Sequence, residues 1–464
     1  MKRPILLCAL AFAACQTPGD KPEPLQLPAL PDGFQNSETQ AEAAAVASFH
    51  EAFGDAQLDE LIAEALQHNR DLGASAARVL AAAAAWRGSR AAFLPSVDAQ
   101  AGAARQKQVY VGLPIPGGDV LTSYATAFDA GFSASWEPDL WGRLSAGERR
   151  TEAQLAAQAA AWRAARLSVA TGVAKAWYTL RGAQAQCVLA EDAVRAWQGS
   201  LDYAQARREA GVGAALDVAL LEARVASAQA DLAARDSARA SAGRALELLL
   251  GRYPSGLLDG PAFAMPTLPP VQAGLPADLL ARRPDLAALQ WQLTALRAGW
   301  DQAAAEFYPR LSLTAQGGLT SNALDDLLKG DFQVWSLAGR VLGPIWDGGR
   351  RKANLEGVEA QIQEAELQFV SAVLAACAEV EGALADGQAL TRQAQGLDGA
   401  RAAATKARDL VQARRDQGLL PISEVLEAER ARIGSEAQYL AVQVQQILRR
   451  IDLIAALGGG LAPE

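Results

Sequence analysis

The chain contains one succession of segments twice, and this duplication restricts the possible folds more than any other feature. Asp71-Leu72 recurs as Asp285-Leu286 at a spacing of 214 residues. Later matches have a spacing of 207 residues, and these pairs are Arg143 with Arg350, Val173 with Val380, Gly211 with Gly418 and Gly251 with Gly458. The difference between the two spacings predicts a longer first copy between Pro95 and Arg143. Because length changes concentrate at exposed loop tips, we expect a loop tip there.

Each copy has the composition of a helix followed by two strands. Residues 71–93 and 285–307 are rich in Ala and Leu and lack proline, which predicts helices. Apolar and polar residues then alternate in four segments, which are 97–101, 124–136, 311–319 and 335–341. This period of two predicts strands with one apolar face, as in a transmembrane barrel wall. A soluble sheet has the same period, so an export signal is needed to favour the barrel.

A long helical hairpin completes each copy. No proline interrupts the Ala-, Glu-, Gln-, Leu- and Arg-rich sequence from 144 to about 210 or from 350 to about 417. Such a helix extends about 100 Å and needs neighbours for coiled-coil packing. The predicted organisation begins with a signal peptide (1–14) and an extended segment (15–56). Repeat 1 covers 57–260, with a helix, strands in 96–136 and a long helical hairpin in 144–250. Repeat 2 covers 261–464, with a helix in 285–307, strands in 310–343 and a long helical hairpin in 350–457.

Four strands per chain cannot close a barrel, and open strand edges are not tolerated in lipid. We therefore predict an α+β membrane protein in which several subunits pool their strands. Three subunits with four strands each would give a 12-stranded β-barrel continuing into a long α-helical coiled-coil tunnel. The strands alone leave the number of subunits open.

The N-terminus predicts export. Lys2 and Arg3 precede a short apolar stretch that ends in Ala14-Cys15. Small residues before a cysteine are typical of a bacterial lipobox, which predicts acylation of Cys15 by a lipid such as palmitate. An ordinary cleaved signal peptide is the alternative. Cys187 and Cys377 lie in Ala-rich helical sequence without CxxC spacing, which favours buried free thiols.

Composition and motifs exclude several other classes of protein. The chain is 50% apolar and 20% charged, which excludes intrinsic disorder. A net charge of −9 without a Lys/Arg run argues against nucleic-acid binding. His50 and His68 have no cysteine or other metal-ligand partner nearby in the sequence, and no GxxxxGK phosphate loop is present. We therefore expect neither enzymatic activity nor a cofactor or metal.

Three motifs together resemble the outer-membrane efflux protein family, in particular TolC/OprM-like outer-membrane factors. Trp136-Glu137-Pro138-Asp139-Leu140-Trp141-Gly142-Arg143 resembles the first strand-to-helix junction of that family. Gly343-Pro344-Ile345-Trp346-Asp347-Gly348-Gly349-Arg350 resembles the second junction. Arg282-Arg283-Pro284-Asp285-Leu286 resembles the start of the second copy in lipoprotein members.

The resemblance implies a homotrimer with a barrel in the outer membrane and a helical tunnel in the periplasm. It implies two partners, a periplasmic adaptor protein and an inner-membrane transporter of the resistance-nodulation-division (RND) class. In that assembly the chain passes drugs or other small molecules to the exterior without chemistry of its own. A lipid anchor in the outer membrane would accompany the spanning barrel.

The resemblance also implies a gate at the periplasmic turn of the helices. Glu424 and Glu427 correspond to acidic residues that face the pore, and their spacing puts both on one helix face. In a trimer they would form two stacked rings of carboxylates. Asp217 matches Glu424 in the first copy, Arg430 is spaced to pair with Glu427, and Arg415 stands where relatives often have an aromatic residue. The alternative is that these charges only solvate a helix face.

Residues at the tips of the hairpins are candidates for adaptor contact. Gly211 and Gly418 would form the turns, and Leu419 and Leu420 would contact the partner together with Leu216 and Val218. The leucines and the valine are equally suited to be coiled-coil core residues.

Two other functions fit parts of this pattern. One is an outer-membrane channel for protein secretion, and the other is an exported coiled-coil scaffold without a barrel. The four alternating segments at equivalent positions of the two copies argue against the scaffold, because a coiled coil has no use for strands.

Extraction behaviour distinguishes a barrel from a scaffold. We expect the protein to require detergent even after its lipid is removed, because the barrel wall exposes an apolar band. The measurement is the partition of the delipidated protein between aqueous and detergent phases. Delipidated protein that stays soluble without detergent would contradict the barrel.

Overall fold

The structure, a computed structural model, describes residues 21–23, 31, 33–36, 53–110, 121–266, 268 and 276–459. The predicted signal peptide, Cys15 and His50 lie outside these residues. The helices are α1 (Ala56–His68), α2 (Arg70–Ala91), α3 (Arg143–Glu209), α4 (Ala215–Leu249), α5 (Leu279–Arg282), α6 (Pro284–Ala305), α7 (Arg350–Asp416) and α8 (Ile422–Ala456). The strands are β1 (Ser96–Tyr110), β2 (Leu121–Trp136), β3 (Arg310–Ser321) and β4 (Gln333–Leu342).

The two halves of the chain have matching helices. Both long helices, α3 and α7, contain 67 residues, and both return helices, α4 and α8, contain 35 residues. Helices α7 and α8 begin 207 residues after α3 and α4, at the spacing of the later sequence matches, whereas α6 begins 214 residues after α2. Helices α2 and α6 also match, with 22 residues each.

The chain divides into two compact units that cut across these halves. The first, called the sheet unit, contains Met1–Gln26, Val79–Ala157 and Leu289–Gln368. The second, called the helical unit, contains Leu27–Arg78, Gln158–Ala288 and Phe369–Glu464. Each unit therefore takes segments from both predicted repeats.

The sheet unit contains an antiparallel sheet in the order β1-β2-β3-β4. The register pairs Phe132 of β2 with Ala99 of β1 and with Gly317 of β3, and Gly317 with Trp335 of β4. Because strand residues alternate between faces, these positions share one face. That face, called the apolar face, includes Tyr124, Phe128, Phe132, Trp136, Leu313, Leu319, Trp335 and Leu337. The opposite face carries Ser, Thr, Gln and Asp side chains.

The first pair of strands is longer than the sequence pattern predicts. Alternation is visible only over 97–101, but β1 continues to Tyr110. The reason is that Arg105 and Lys107 occupy the apolar face, where alternation would place apolar residues. Strands β1 and β2 have 15 and 16 residues, whereas β3 and β4 have 12 and 10. The first copy thus has longer strands than the second. The loop tip expected between Pro95 and Arg143 falls in the connection from β1 to β2, at 111–120, which lies outside the described residues.

The junction from β2 to α3 is a helix cap built by residues of the motif Trp136–Arg143. The Asp139 carboxylate accepts hydrogen bonds from the backbone N–H groups of Leu144 (2.9 Å) and Ser145 (2.8 Å) and from the Ser145 hydroxyl (2.6 Å). Partial burial raises the pKa of Asp139, but these hydrogen bonds and the charge of Arg143 outweigh it, so the pKa lies below its usual value. Arg143 in turn forms an ion pair with Glu137 at 2.9 Å.

Two tryptophans of the same motif fix the ends of the neighbouring helices. The indole N–H of Trp136 donates to the Phe93 carbonyl (2.9 Å), and that of Trp141 donates to the Pro309 carbonyl (2.6 Å). Trp141 also stacks on Tyr308 with ring centroids 5.2 Å apart. Helices α2 and α6 end at Ala91 and Ala305, two residues before the predicted ends, because the chain tightens into turns such as Tyr308 N–H to the Ala305 carbonyl (3.2 Å).

Loss of the Asp139 cap tests this account of the junction. We expect Asp139→Ala to lower the free energy of unfolding by about 1–2 kcal/mol, because α3 loses the acceptor for its first N–H groups. The pKa of Asp139 is lowered by folding, so this contribution is present above about pH 4 and is lost as the pH falls through the lowered pKa. Thermal or urea unfolding measures the difference, with the exposed Asp325→Ala as control. An equal effect of both variants at neutral pH would contradict the cap.

Candidate functional site

The tips of the two hairpins belong to the helical unit and have the same backbone structure. Gly211 and Gly418 have φ angles of +77° and +76°, which only glycine adopts without strain. After α3, Val212 N–H donates to the Arg207 carbonyl (3.0 Å) and Gly211 N–H to Arg208 (2.9 Å). The equivalent bonds follow α7, from Leu419 N–H to Arg414 (3.0 Å) and from Gly418 N–H to Arg415 (2.7 Å). Both long helices therefore end in a Schellman motif.

A shared apolar core holds the two tips together. It contains residues of α3, α4 and α8, namely Trp197, Leu201, Ala204, Val218, Leu221, Val225, Ile422, Val425 and Leu426. Val218 is 4% exposed. Of the two roles considered for it, it is therefore a core residue, and it is not available to contact an adaptor. Apolar burial of this extent stabilises the pairing of the hairpins.

Asp217 and Glu424 each occupy the third position of a return helix. The residues before these helices, Ala214 and Pro421, make no side-chain cap hydrogen bond. A carboxylate in the first turn interacts favourably with the unpaired N–H groups of the helix start. This local role explains why both repeats carry an acid there. Glu424 is exposed and Asp217 is half-buried.

Glu427 has a different partner from the predicted one. Its carboxylate lies 3.4 Å from the Arg224 guanidinium on α4, so the ion pair joins the two hairpins. The expected pair between Glu427 and Arg430 is not formed. Arg430 is exposed, and it has no ion-pair partner in the part of the chain that the structure describes. Because α4 packs beside α8, Arg224 of α4 lies closer to the Glu427 carboxylate than Arg430 of the same helix does.

Arg415, which stands where relatives often have an aromatic residue, contacts an aromatic ring of another helix. Its guanidinium lies 5.1 Å from the ring centroid of Tyr203 on α3, within the range of a cation–π interaction. Arg207, one turn along α3, lies 6.0 Å from the same ring. Tyr203 is therefore held by one arginine from each long helix.

A buried carboxylate near the tip was missed by the sequence argument. Glu429 is 8% exposed and accepts two hydrogen bonds from Arg432, at 2.6 and 3.0 Å. Arg408 of α7 lies 3.7 Å away and contributes a second positive charge. Its counterpart in the first copy, Glu222, is exposed. The two tips therefore differ in charge structure although their turns agree.

Several apolar side chains remain exposed at the tips. Val212, Leu216 and Leu419 are 65%, 67% and 68% exposed. Leu420 is half-buried, so it is only partly available to another protein. Exposed apolar side chains close together at a loop tip are typical of an interaction surface.

The motif around Arg283 has a structural role elsewhere in the helical unit. The Arg283 guanidinium donates to Asp285 (2.8 Å), Glu379 (2.7 Å) and the Ala456 carbonyl (3.1 Å). Burial raises the pKa of Asp285, but the hydrogen bonds and charge of Arg283 outweigh it and lower the pKa. Arg283 thereby ties the start of α6 to α7 and to the end of α8.

A cavity of about 1050 Å³ lies beside Arg283 in the helical unit. It is lined partly by charged side chains, and these include Lys175, Glu379, Asp386, Arg449 and Asp452. The charges are paired across the cavity, since Lys175 contacts Asp452 and Arg449 lies 3.4 Å from Asp386. Among the described residues, no group of three or more His, Cys, Asp or Glu side chains is arranged to hold a metal ion.

Comparison with known proteins assigns the family. Residues 61–252 and 275–459 match the model described as outer membrane efflux protein. The solvent efflux pump outer membrane protein SrpC of Pseudomonas putida is 33% identical over 426 residues, covering 90% of this chain and 88% of that protein. The cation efflux system protein CusC of Escherichia coli O6:H1 is 30% identical over 467 residues, covering 97% of each chain.

A solved structure agrees in fold over almost the whole chain. The open state of the Neisseria gonorrhoeae MtrE outer membrane channel superposes with a TM-score of 0.83 at 29% identity, covering 95% of this chain and 98% of that one. The chain therefore belongs to the outer membrane efflux protein family and has the mostly helical α+β tunnel fold of its channels. The prediction of an efflux protein of the outer membrane is confirmed, and the protein-secretion alternative is not favoured.

Removal of Arg283 tests its role in the helical unit. We expect Arg283→Met to lower the free energy of unfolding by about 2 kcal/mol, because hydrogen bonds to charged groups are lost and the Ala456 carbonyl loses a donor. The carboxylates of Asp285 and Glu379 are half-exposed, so water would hydrate them in the variant, and this limits the loss of unfolding free energy. Urea unfolding followed by helical circular dichroism measures it. The exposed Arg392→Met on α7 is the control, and equal midpoints for the two variants would contradict the role.

Proposed function

We propose that three copies of the chain form a homotrimer whose sheets close a 12-stranded β-barrel, four strands from each subunit. In the single chain, β1 and β4 are the edges of the sheet, and nearly all of their residues are exposed. Backbone groups at a sheet edge must be paired within a bilayer. Pairing β1 of one subunit with β4 of the next satisfies them, and the similarity to MtrE, an outer membrane channel, supports a closed wall.

The apolar face supports the placement of this wall in lipid. Trp335 is 82% exposed, Leu337 76% and Phe132 65%, all on the same face of the sheet. In water such a patch would be a liability, whereas in a barrel wall it contacts acyl chains. Tyr124, Trp136 and Trp335 would belong to the aromatic girdles at the two membrane interfaces. Tyr110 lies on the opposite face of the sheet, so it would not contact lipid.

The helices supply a second argument for assembly. Helix α7 contains an 18-residue stretch that is apolar enough to cross a membrane by length and composition, yet only 22% of that stretch is buried within the chain. An exposed Ala-rich helix face of this kind is covered well by another helix in a coiled coil. Coverage by neighbouring subunits would give the long α-helical tunnel. The matching α3–α4 and α7–α8 hairpins support an internal duplication as its origin.

The tunnel would carry small molecules from an inner-membrane transporter, coupled through a periplasmic adaptor, to the exterior. The relative SrpC belongs to a solvent efflux pump, and the relative CusC belongs to a cation efflux system. Organic small molecules, including drugs, are the substrate class that we assign to this chain, because the solvent-pump relative is the more similar of the two. A transporter of the RND class would supply the energy, and this subunit would be a passive exit with a part in drug resistance.

Acylation of Cys15 would add a lipid anchor in the inner leaflet of the outer membrane. The small residues before Cys15 support this, as does the position of the cysteine directly after the export signal. A single acyl chain alone binds membranes only marginally, so the barrel would carry most of the attachment.

The gate would lie at the exposed carboxylates of α8. Glu424 and Glu427 share one exposed face, and in a trimer they would form two rings of negative charge at the tunnel entrance. The observation that carries this proposal is the ion pair from Glu427 to Arg224, because it joins the two hairpins at an exposed position. Exposed pairs contribute about 1 kcal/mol or less, so docking of a partner can break this one.

The remaining tip residues would set how the hairpins separate. Arg415 on Tyr203 would hold α7 against α3, and Arg430 would add positive charge one turn beyond Glu427. Asp217 would contribute a single carboxylate from the first hairpin. Leu419, Leu420 and the turns at Gly211 and Gly418 would form the adaptor contact.

Single-channel recording in planar bilayers tests the channel and the gate together. We expect wild-type protein to give small, cation-selective conductance, because carboxylate rings attract cations. Glu424→Ala/Glu427→Ala should reduce cation selectivity and raise conductance, because both rings and the Arg224 pair are lost. Asp231→Ala/Glu356→Ala removes the same charge away from the tips and serves as control.

Two results would separate the parts of this proposal. Conductance and selectivity that are the same in the Glu424/Glu427 variant and in wild type would contradict a gate at these residues. A protein that stays soluble and monomeric without detergent would contradict the barrel itself.

A further inference from the structure

Two basic residues interrupt the apolar face of the sheet. Arg105 and Lys107 of β1 pair with Thr126 and Tyr124 of β2, so they lie on the same face as Phe132 and Trp136. Both basic side chains are exposed. A lipid-facing Arg or Lys is disfavoured most strongly at the bilayer midplane and least at the interface. Their position along the strand therefore decides what they do.

The strand geometry places them at the edge of the bilayer. Trp136 stands at the end of β2 that joins the helices, and Tyr124 is twelve residues earlier in the chain. At about 3.3 Å per residue and a tilt of about 40°, the two residues differ in height by about 30 Å. This equals the thickness of the hydrocarbon core. If Trp136 marks one interface, then Tyr124, Arg105 and Lys107 stand at the other.

The two cations and the tyrosine form one cluster. The Arg105 guanidinium lies 5.9 Å from the Tyr124 ring centroid, and the Lys107 ammonium lies 5.8 Å from it. Neither cation has an ion pair with any residue that the structure describes. The acids of the same strands, Asp98 and Asp129, lie on the opposite face of the sheet. The cluster is thus a positively charged position on a lipid-facing wall without a protein anion of its own on these strands.

We propose that Arg105, Lys107 and Tyr124 bind the phosphate groups of the phosphorylated glycolipid in the outer leaflet of the outer membrane. This inference rests on the proposed barrel, whose helices would extend into the periplasm, so the β1–β2 turn end faces the exterior. An Arg guanidinium and a Lys ammonium are both strong phosphate donors. Tyr124 would hold both side chains level with the headgroups, and a trimer would carry three such clusters.

Phospholipids also carry a phosphate group that this cluster could bind. The position of the cluster along the barrel wall decides which leaflet, and therefore which lipid, supplies that phosphate. Phosphatidylglycerol in the inner leaflet would meet the junction end of the sheet, near Trp136. The cluster at the other end meets the outer leaflet. A preference for the phosphorylated glycolipid over phosphatidylglycerol is therefore the specific expectation.

Lipid binding to detergent-purified protein tests the proposal. The probes are lipid A with both phosphates, enzymatically dephosphorylated lipid A, and phosphatidylglycerol, and the readout is the apparent Kd from native mass spectrometry. We expect Arg105→Gln/Lys107→Gln to bind phosphorylated lipid A about thirtyfold more weakly than wild type does, from two surface cations. Dephosphorylated lipid A should bind both proteins equally weakly.

Two control variants separate the site from general charge and from misfolding. Arg340→Gln removes a cation from the opposite face of β4 and should leave binding unchanged. Arg105→Lys keeps the charge and should keep most of the binding. If the double variant fails to assemble, the comparison of phosphorylated with dephosphorylated lipid A on wild-type protein still tests the proposal. Equal binding by wild type and the double variant would overturn the proposal. Three other results would also overturn it. Wild-type protein could bind phosphorylated and dephosphorylated lipid A equally, or it could bind lipid A and phosphatidylglycerol equally. Arg340→Gln could lose as much binding as the double variant does.

Failure of this inference differs from failure of the proposed channel. If wild-type protein conducts in planar bilayers but shows no preference for phosphorylated lipid A, the lipid site is wrong and the channel stands. If no detergent-dependent oligomer forms, the barrel is wrong, and the lipid site falls with it.

Discussion

The pairing of strand edges is the constraint on which the rest of the structure depends. The sheet has an apolar face suited to lipid, but among the residues that the structure describes no further strand pairs with the outer N–H and C=O groups of β1 and β4. In water those groups bind solvent, whereas in hydrocarbon they cost several kcal/mol each. A four-stranded wall is therefore stable in a membrane only as part of a closed ring. The proposed trimer follows from this requirement together with family membership.

The same constraint explains why the junction motifs are built so firmly. Each strand pair must deliver its chain into a helix of 67 residues with a defined direction. Asp139 satisfies the first N–H groups of α3, and Trp141 binds the Pro309 carbonyl and stacks on Tyr308. By contrast, the Glu427–Arg224 ion pair at the tips is exposed, and it lies beside the apolar core that holds the two hairpins together. In the proposed duct, a partner could break this ion pair without disturbing the junctions.

Much of this architecture was predictable because it depends on local periodicity. Alternation from Tyr124 to Trp136 located most of β2, and proline-free sequence located the long helices within a residue or two. The extent of β1 was not predictable from alternation, since Arg105 and Lys107 break the apolar pattern of the apolar face. In the proposed barrel, that break would mark the end of the apolar band.

The side-chain contacts of the candidate gate were less predictable, for a physical reason. Spacing along α8 brings Arg430 near Glu427, but it says nothing of the cation that α4 brings closer. Likewise, Glu429 and Arg432 have the same i,i+3 spacing on α8 as Glu427 and Arg430, so spacing alone could not show which of the two pairs forms. Tyr203 provides the aromatic ring at the tip, and Arg415 reaches it from another helix. Contacts between helices depend on how the helices pack, and a single sequence does not show which helices will be neighbours.

The number of chains around the barrel axis is the quantity that tests this account most directly. Electron cryomicroscopy of the detergent-solubilised protein would count them and show which strands are neighbours. The account predicts three chains about one axis, with β1 of each paired to β4 of the next. A particle with another number of chains, or a single chain whose β1 and β4 edges remain unpaired, would contradict it.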